Sequence, residues 1–418
     1  MKLDISKVLL QLLVITIGLI PIFNVVTIFT SYNQTTLIDP KFNTIGKGLV
    51  ILATVFSGII ILIYLKNIKR NGVLLIVGSL ILYFSTVLGA SLGYEPYFNS
   101  SLVLCPLVFA AAYLIVKPSI IESFKMMSNI LAVYIYGSII TGIFNFNWAF
   151  QYYTQGIIPG FTYRLHSLGG HANNLAAIAL IFLLLNLYLI NTTTKKIKYI
   201  INIFAAIITI ILTQSKTVWI IIIGILLLKY IIKSTTRKRE FYYRISVMLL
   251  SVSFLMFLLF LTPFNNKILA FYQQNDSLSN LTGRDVVWAY TLDVWSVNEF
   301  FGYGDLWNEN MQNNFAILYG WKPTHSHNEF FQTLGESGII GVIALVIYVL
   351  ILIHFCLKLG QKFNFIGLSF LLLLLIRGIS EPVFIKNIYS ANFFIHFIIF
   401  LCLISILHND SFNKEATN

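Results

Sequence analysis

The sequence predicts an all-α polytopic integral membrane protein of about twelve transmembrane helices, with one long outer-face loop that carries short interfacial helices. Hydrophobic residues make up 57% of the 418 residues, charged residues only 11%, and the mean hydropathy is +0.82. A soluble chain of this length usually has about a quarter of its residues charged. The apolar residues also form runs of roughly 20, which is the length that a helix needs to cross a bilayer.

The apolar runs place the predicted spans in order along the chain. The twelve are 8–29, 48–65, 72–92, 101–116, 126–145, 174–190, 199–213, 217–232, 245–262, 339–357, 363–376 and 391–407. Residues 1–29 have no small-residue cleavage site after a short apolar core, so we interpret them as the first span and not as a signal peptide.

The basic residues alternate between the two predicted sides of the membrane. With the N-terminus in the cytoplasm, 19 of the 28 lysines and arginines fall in cytoplasmic segments, which is the positive-inside pattern. The pattern predicts a multi-pass protein with both termini in the cytoplasm. It also explains most of the net charge of +12, so a nucleic-acid partner is not expected.

The longest polar segment is the loop 263–338, on the predicted outer face of a single membrane domain that spans residues 1–418. It holds eight acidic residues against three basic ones, and four of the six tryptophans. Loops of this length are usually functional, and indole rings favour the membrane interface. We therefore predict an extracytoplasmic catalytic loop that folds into short helices on the membrane surface.

The stretch THSHNEFFQTLGESGIIG (324–341) ends this loop and leads into an apolar run. Ser326 and Glu329 have the spacing of a capping box, which predicts that a helix begins here. Gly338 and Gly341 are predicted to form the turn into the following span.

His327 and Asn328 fall in the first turn of this predicted helix, and three interpretations are open. His325 and His327 supply two ligands of a metal site, but such a site needs three or four, so His166 and His171 would have to approach them. The second interpretation is a capped helix with incidental polar residues. The third is a catalytic or substrate-binding histidine. The partial positive charge of a helix N-terminus disfavours imidazolium, so His327 would stay neutral near pH 7, as a general base must.

Other charged residues lie at the predicted outer ends of spans. Arg284, at the start of a predicted helix, could grip a phosphate with both guanidinium prongs or pair locally, and Arg164 could do the same. Lys216 either snorkels to the interface or binds substrate. Arg377 and Glu381 have the spacing of a pair across one helical turn.

A further polar segment, GFTYRLHSLGGHANNLAAIAL (160–180), precedes a span on the same predicted side. Asn173 and Asn174 are predicted to cap that span. The polar segments are therefore expected to converge on one face of the membrane.

Four motifs together resemble the O-antigen ligase and O-antigen polymerase superfamily of bacterial envelope glycosyltransferases. They are GRDVVW (283–288), HSHNEFFQTLGESGIIG (325–341), LTQSK (212–216) and GISEPVF (378–384), in a many-span chain with one long outer loop. The resemblance extends over roughly residues 160–385 and is topological only over the first 150. Its most specific part is the His-Asn…Glu-x-Gly-x-x-Gly pattern over 327–341.

This resemblance implies a metal-independent glycosyltransferase whose donor glycan is linked to undecaprenyl diphosphate, with no nucleotide sugar and no cofactor. It implies that His327 is catalytic and that Arg284 and Lys216 hold the diphosphate. Family members commonly carry Ser-Arg where this chain has Ser-Lys, and lysine keeps the charge without the two-pronged geometry. The candidate catalytic residues are His327, Arg284 and Glu329, the last as an alternative base. The candidate diphosphate-binding or glycan-binding residues are Arg164, Lys216, Asn328 and Arg377.

The predicted function is polymerisation of lipid-linked repeat units of a capsule, exopolysaccharide or O-antigen at the outer face of the bacterial cytoplasmic (inner) membrane. A ligase that transfers the glycan to another acceptor is the alternative. A transporter or flippase is the rival from another class, but it should place cations at mid-membrane depth and show internal repeats. The expected partners are the undecaprenyl-diphosphate-linked glycan, an acceptor glycan and the lipid bilayer, with a chain-length regulator and a flippase as candidate protein partners.

Overall fold

A computed structural model describes residues 4–28, 40–68, 72–116, 119–153, 156–194, 196–233, 283–359 and 365–415 of the chain. The described residues form fourteen α-helices and one two-stranded hairpin. Eight of these helices are long and apolar enough to cross a membrane. The predicted all-α polytopic membrane class is therefore confirmed.

The helices follow the predicted order closely. They are α1 (Ile5–Ile28), α2 (Pro40–Tyr64), α3 (Val73–Leu92), α4 (Ser101–Ile115), α5 (Ile120–Phe144), α6 (Phe146–Ala149), α7 (Ala172–Thr192), α8 (Lys196–Thr213), α9 (Lys216–Lys233), α10 (Arg284–Trp295), α11 (Glu309–Tyr319), α12 (Glu329–Leu359), α13 (Ile366–Ser380) and α14 (Ala391–Glu415). Strands β1 (Phe150–Tyr152) and β2 (Tyr163–Leu165) pair antiparallel between α6 and α7. Eleven of the twelve predicted spans overlap one of these helices, and the span 245–262 lies outside the described residues.

The helix α14 forms the centre of the bundle. All of its residues from 391 to 408 are buried, and it packs against α4, α5 and α7. A helix that is apolar on all sides is typical of such a central position. Around it, α1 packs along α2, α7 along α8, and α12 along α3.

The helix α12 contains one break, at Gly338, where the backbone has φ 62° and ψ −158°. A Cβ atom at this position would lie 2.3 Å from the carbonyl oxygen of Phe300, so only glycine fits. The predicted turn at Gly338 is therefore confirmed. The prediction that Gly341 belongs to the same turn is wrong, because Gly341 lies within the helix, where a Cβ atom would meet the Ser337 side chain at 2.4 Å.

The loop segment 299–304 replaces the helical hydrogen bonds that are lost at this break. The two N–H groups after the break donate to loop carbonyls, Ile339 to Glu299 at 2.9 Å and Ile340 to Phe300 at 3.3 Å. The two carbonyls before the break accept from loop N–H groups, Gly335 from Tyr303 at 2.7 Å and Glu336 from Gly304 at 3.3 Å. Backbone groups in a membrane need such partners. The loop and the spanning helix are thus joined through their backbones.

The described part of the loop has a small hydrophobic core of its own between α10 and α11. It consists of Val287, Val294, Tyr303, Leu306, Trp307 and Phe315. The predicted short helices are therefore confirmed, and two of the four tryptophans of the loop lie inside the protein. Trp288 and Trp307 are both buried, and their indole N–H groups donate to the carbonyl and the hydroxyl of Ser326, at 2.8 Å and 3.1 Å. These contacts fix the backbone next to His327.

Candidate active site

A buried carboxylate, that of Glu381, lies where several helix ends meet. Glu381 directly follows α13 and is 4% exposed. Its Oε1 accepts a hydrogen bond from Asn173 Nδ2 at 2.9 Å and lies 3.9 Å from the guanidinium of Arg284. Its Oε2 lies 3.5 Å from His325 Nε2 and 3.8 Å from His327 Nδ1. The fold thus gathers residues from distant parts of the chain around one carboxylate.

The surroundings of Glu381 keep this carboxylate ionised. Burial by itself raises the pKa of Glu381, but the His327 N–H directed at it and the electrostatic attraction of His325 and His171 outweigh burial and hold the pKa well below its usual range. A buried carboxylate is tolerated only where donors surround it. The amide of Asn173 and the imidazoles supply those donors here.

The backbone determines which nitrogen of His325 carries its proton. Nδ1 of His325 accepts the backbone N–H of His327 at 3.1 Å, so the neutral ring keeps its proton on Nε2, which faces Glu381. The two imidazole rings contact each other edge to face, with centroids 4.1 Å apart. His327 has φ 50°, a conformation that is rare outside glycine and is common at functional sites.

The geometry around His327 is that of a base oriented by a carboxylate. Its Nδ1 is directed at Glu381, so the carboxylate favours a proton on Nδ1 and leaves the lone pair on Nε2. The side chain of His327 is 25% exposed, so a ligand can reach it. This arrangement can accept a proton from a bound hydroxyl group.

The helix cap beside His327 differs from the predicted capping box. Asn328 is the capping residue, because its Oδ1 accepts the N–H groups of Phe330 at 2.8 Å and Phe331 at 3.3 Å. Ser326 instead faces the core of the loop. The prediction that Ser326 and Glu329 form a capping box is therefore wrong.

The side chains of Glu329 and Asn328 hold the chain on both sides of Glu381. The Glu329 carboxylate accepts the backbone N–H groups of Val383 at 2.5 Å and Phe384 at 2.8 Å. Asn328 Nδ2 donates to the carbonyl of Ile379 at 3.1 Å. Both side chains are buried and their polar atoms are used by the protein. Their geometry is therefore that of positioning residues.

The side chain of Arg164 joins the site through His171. Its guanidinium donates to Gln151 Oε1 at 3.1 Å, lies 4.3 Å from the ring centroid of Tyr153, and lies 3.4 Å from His171 Nε2. His171 in turn caps α7, because its Nδ1 accepts the N–H of Asn173 at 3.3 Å. Arg164 and Arg284 therefore lie near the same group of histidines.

The predicted roles of three other polar residues change in the structure. Asn173 and Asn174 do not cap α7 but bind Glu381 and Arg377 respectively. The buried guanidinium of Arg377 donates to the carbonyl of Asn173 at 2.7 Å, to Asn174 Oδ1 and to Asn392 Oδ1. The prediction that Arg377 pairs with Glu381 across one helical turn is wrong, because its hydrogen bonds go to these asparagines.

The LTQSK turn lies beside the same group of residues. Ser215 donates to Asn173 Oδ1 at 3.0 Å, so the turn is tied to the residue that binds Glu381. Lys216 is the first residue of α9 and is exposed. The structure thus places Lys216 next to the site, with its side chain available to a ligand.

A metal centre is the alternative use of this cluster. The ligand atoms of His325, His327 and Glu381 lie within 4.8 Å of one another, while His166 and His171 do not belong to this group. A metal on His325 Nε2 would need the proton of that ring on Nδ1, but Nδ1 already accepts an N–H. The ring therefore offers an N–H and not a lone pair, which favours a hydrogen-bonded cluster.

Lowering the pH from about 6.5 to about 4.5, a range above the pH at which most carboxylates titrate, is expected to destabilise the folded protein. Burial lowers the pKa of His325 to about 4 and that of His171 to about 3, with Glu381 opposing it in both cases. An unfolded histidine has a pKa of about 6.5, so between this pH and about 4.5 the unfolded chain takes up protons that the folded chain excludes. The free energy of unfolding therefore falls as the pH falls.

Melting temperatures of the purified protein in detergent at pH 7.5 and pH 5 test this prediction. The melting temperature should be lower at pH 5 than at pH 7.5. The difference between the two temperatures should be smaller in His325→Asn, whose amide oxygen can still accept the N–H of His327. Equal melting temperatures at the two pH values would contradict it.

Part of the chain is similar to a known protein family. Residues 201–346 match a family model described as O-antigen ligase. The matched range covers 146 of the 418 residues. The predicted resemblance to the O-antigen ligase and polymerase superfamily is confirmed. A comparison with curated proteins found no match.

The matched range supplies part of the site, and the chain on both sides completes it. Arg284, His325 and His327 lie within the matched range, whereas His171 and Glu381 lie outside it. Glu381, the carboxylate that the other residues of the cluster contact, therefore lies in the segment that follows the matched range.

Proposed function

We propose that this O-antigen ligase family protein is a glycosyltransferase that polymerises polyprenyl-diphosphate-linked oligosaccharide units at the outer face of the bacterial cytoplasmic membrane. The observation that carries the proposal is the convergence of Arg284, His325 and His327 on the buried carboxylate of Glu381. This convergence occurs where helices long and apolar enough to cross a membrane begin and end, which is where a lipid-linked substrate would present its head group.

The reaction joins an acceptor oxygen to the anomeric carbon of the donor glycan. The bond between that carbon and the diphosphate oxygen breaks, and the bonding electron pair leaves with the lipid diphosphate. The acceptor hydroxyl loses a proton, which Nε2 of His327 takes up. Glu381 stabilises the imidazolium charge that then forms, because its carboxylate faces Nδ1 of the same ring.

The leaving diphosphate gathers negative charge, which fixed cations can stabilise. The side chain of Arg284 is 26% exposed beside Glu381, so a phosphate can reach it. Arg164, beside His171, and the exposed Lys216 add further positive charge near the site. In this proposal, basic side chains balance the charge of the diphosphate, and no metal ion is needed.

A ligase that passes the glycan to an acceptor other than the growing polymer is the second candidate. The matched family is described as O-antigen ligase, and both reactions would use the same donor and the same base. They differ only in the acceptor that occupies the site.

Reconstitution of the purified protein in lipid nanodiscs tests the proposal. A repeat unit on undecaprenyl diphosphate should be converted to longer lipid-linked chains with release of undecaprenyl diphosphate, and EDTA should not reduce the rate. Products that form only when a different acceptor is added would favour the ligase. If no glycan transfer occurred with any acceptor, the proposal that the protein is a glycosyltransferase would be refuted.

Glu381→Gln is expected to lower kcat on the order of 10²-fold with little change in the KM for the donor. Glutamine keeps the size of the side chain but removes the charge that orients His327 and stabilises its protonated form. Glu309→Gln is the matched control, because Glu309 lies exposed at the start of α11, outside the cluster. Equal kcat values for the two variants would show that Glu381 has no role in the chemical step.

A further inference from the structure

The described part of the loop contains a second polar site, away from the histidine cluster. It is an open groove of about 640 Å³, which we call the polar groove. Its polar lining includes Tyr94, Glu95, Asp293, Asn310, Asn313 and Asn314. These residues come from the segment after α3, the end of α10, and α11.

The floor of the polar groove is rigid because two chain segments pair there. Glu95 and Gly304 form a parallel β-bridge. The N–H of Glu95 donates to the carbonyl of Tyr303 at 2.7 Å, and the N–H of Tyr94 donates to the carbonyl of Gly302 at 3.2 Å. A Cβ atom on Gly304 would lie 2.4 Å from the carbonyl oxygen of Glu95, so the close pairing requires glycine. The groove is therefore formed before any ligand arrives.

The chemistry of the polar groove suits a neutral sugar. Amide and carboxylate side chains can donate to and accept from neighbouring hydroxyl groups, and Asn313 and Asn314 supply two such amides on one helix. Tyr94 is 57% exposed and packs against Tyr303 with ring centroids 5.3 Å apart, so it offers a supported aromatic face for the apolar side of a sugar ring.

The charge of the polar groove argues against a phosphate ligand. Two of its lining residues, Glu95 and Asp293, are acidic, and none of the described residues that line it is basic. An anionic ligand would be repelled there. The groove and the cluster around Arg284 are therefore suited to different parts of a substrate.

The helix α10 connects the two sites. Arg284 lies at its first residue beside Glu381, and Asp293 lies near its last turn at the polar groove. Nine residues of α-helix separate them by about 14 Å along the axis. An oligosaccharide of a few sugars would extend from one site to the other.

We propose that the polar groove binds an uncharged sugar segment of the glycan substrate, a few residues away from the end that reacts at His327. This proposal rests on the proposed function for the identity of the glycan. It explains why a rigid groove rich in amides lies one helix length from the base. Binding in the groove would favour glycans of more than one repeat unit over single units.

Direct binding to the purified full-length protein in nanodiscs tests the proposal. The probes are lipid-free oligosaccharides of one, two and three repeat units, released by mild acid hydrolysis from the surface polysaccharide of the source organism. We expect tighter binding of the longer probes. The double variant Asn313→Ala/Asn314→Ala should bind them roughly tenfold more weakly, as should Tyr94→Ala. Glu309→Ala, on the same helix but outside the groove, should bind like the unaltered protein.

The outcomes separate this proposal from the proposed function. If the double variant and Tyr94→Ala melt at the normal temperature and bind the longer probes with unchanged affinity, the proposal for the groove fails. The binding measurement does not depend on catalysis. Its result therefore stands whether or not the protein transfers glycans.

Discussion

Replacing His327 with alanine is expected to abolish long polysaccharide chains while the protein stays in the membrane at its normal level. A positioned general base contributes roughly 10²–10⁴-fold to a rate, and under the proposed function every added repeat unit needs this step. The side chain is 25% exposed and contacts Glu381 and the ring of His325. Its removal therefore leaves no large internal cavity, and the fold should persist.

The matched control for this variant is His354→Ala. His354 lies on the same helix, α12, but is exposed far from the cluster. Polysaccharide length on gels and protein level in isolated membranes are the two measurements. Normal chain length in cells that carry only His327→Ala would refute the catalytic role.

Replacing Arg284 with lysine is expected to slow glycan transfer on the order of 10²-fold. Lysine keeps the positive charge but cannot grip two phosphate oxygens in one plane. The guanidinium of Arg284 also lies 3.9 Å from Glu381. A lysine ammonium at this position would hold its charge at a different place relative to the histidines. Lys322→Ala, which removes an exposed charge from the same loop, is the control and should have little effect.

The kinetic constants show how Arg284 acts. A lower kcat with an unchanged donor KM would indicate that the contact forms in the transition state, whereas a higher KM alone would indicate simple substrate binding. Polymerisation at the normal rate in Arg284→Lys would contradict both roles.

The membrane fold was predictable because each span depends on a local property. A run of apolar residues of sufficient length must form a helix in a bilayer, since no other regular structure satisfies its backbone within one segment. The helix α14 shows the limit of this reasoning. Its sequence predicts a span, but nothing local indicates that its residues 391–408 would be buried on every side.

The histidine and arginine of the candidate site were also predictable, because His327 and Arg284 stand at helix starts within recognisable motifs. The role of Glu381 was not. Local spacing pairs it with Arg377, whereas tertiary contacts direct it to Asn173 and the histidines. A usable signal was present, since an acidic residue followed by proline directly after an apolar helix marks a point where the helix must end.

The capping box shows why a correct pattern can give a wrong contact. Ser326 and Glu329 have the required spacing, but stronger partners elsewhere take both side chains. Trp307 donates to the hydroxyl of Ser326, and two backbone N–H groups bind the carboxylate of Glu329. Asn328 then caps the helix. Competition between partners depends on the fold and is invisible in a local sequence.

The hydrogen bonds between the segment 299–304 and α12 hold the break at Gly338 in place, so this glycine is a fixed joint and not a hinge. If the segment 299–304 swung away as a lid, two N–H groups and two carbonyls of α12 would lose their partners, at about 1–3 kcal/mol each. The segment 299–304 is therefore expected to keep its place during turnover. Turnover would then depend on lateral diffusion of the lipid-linked substrate into a preformed site. Bilayer fluidity should therefore influence the rate more than an opening motion of this segment.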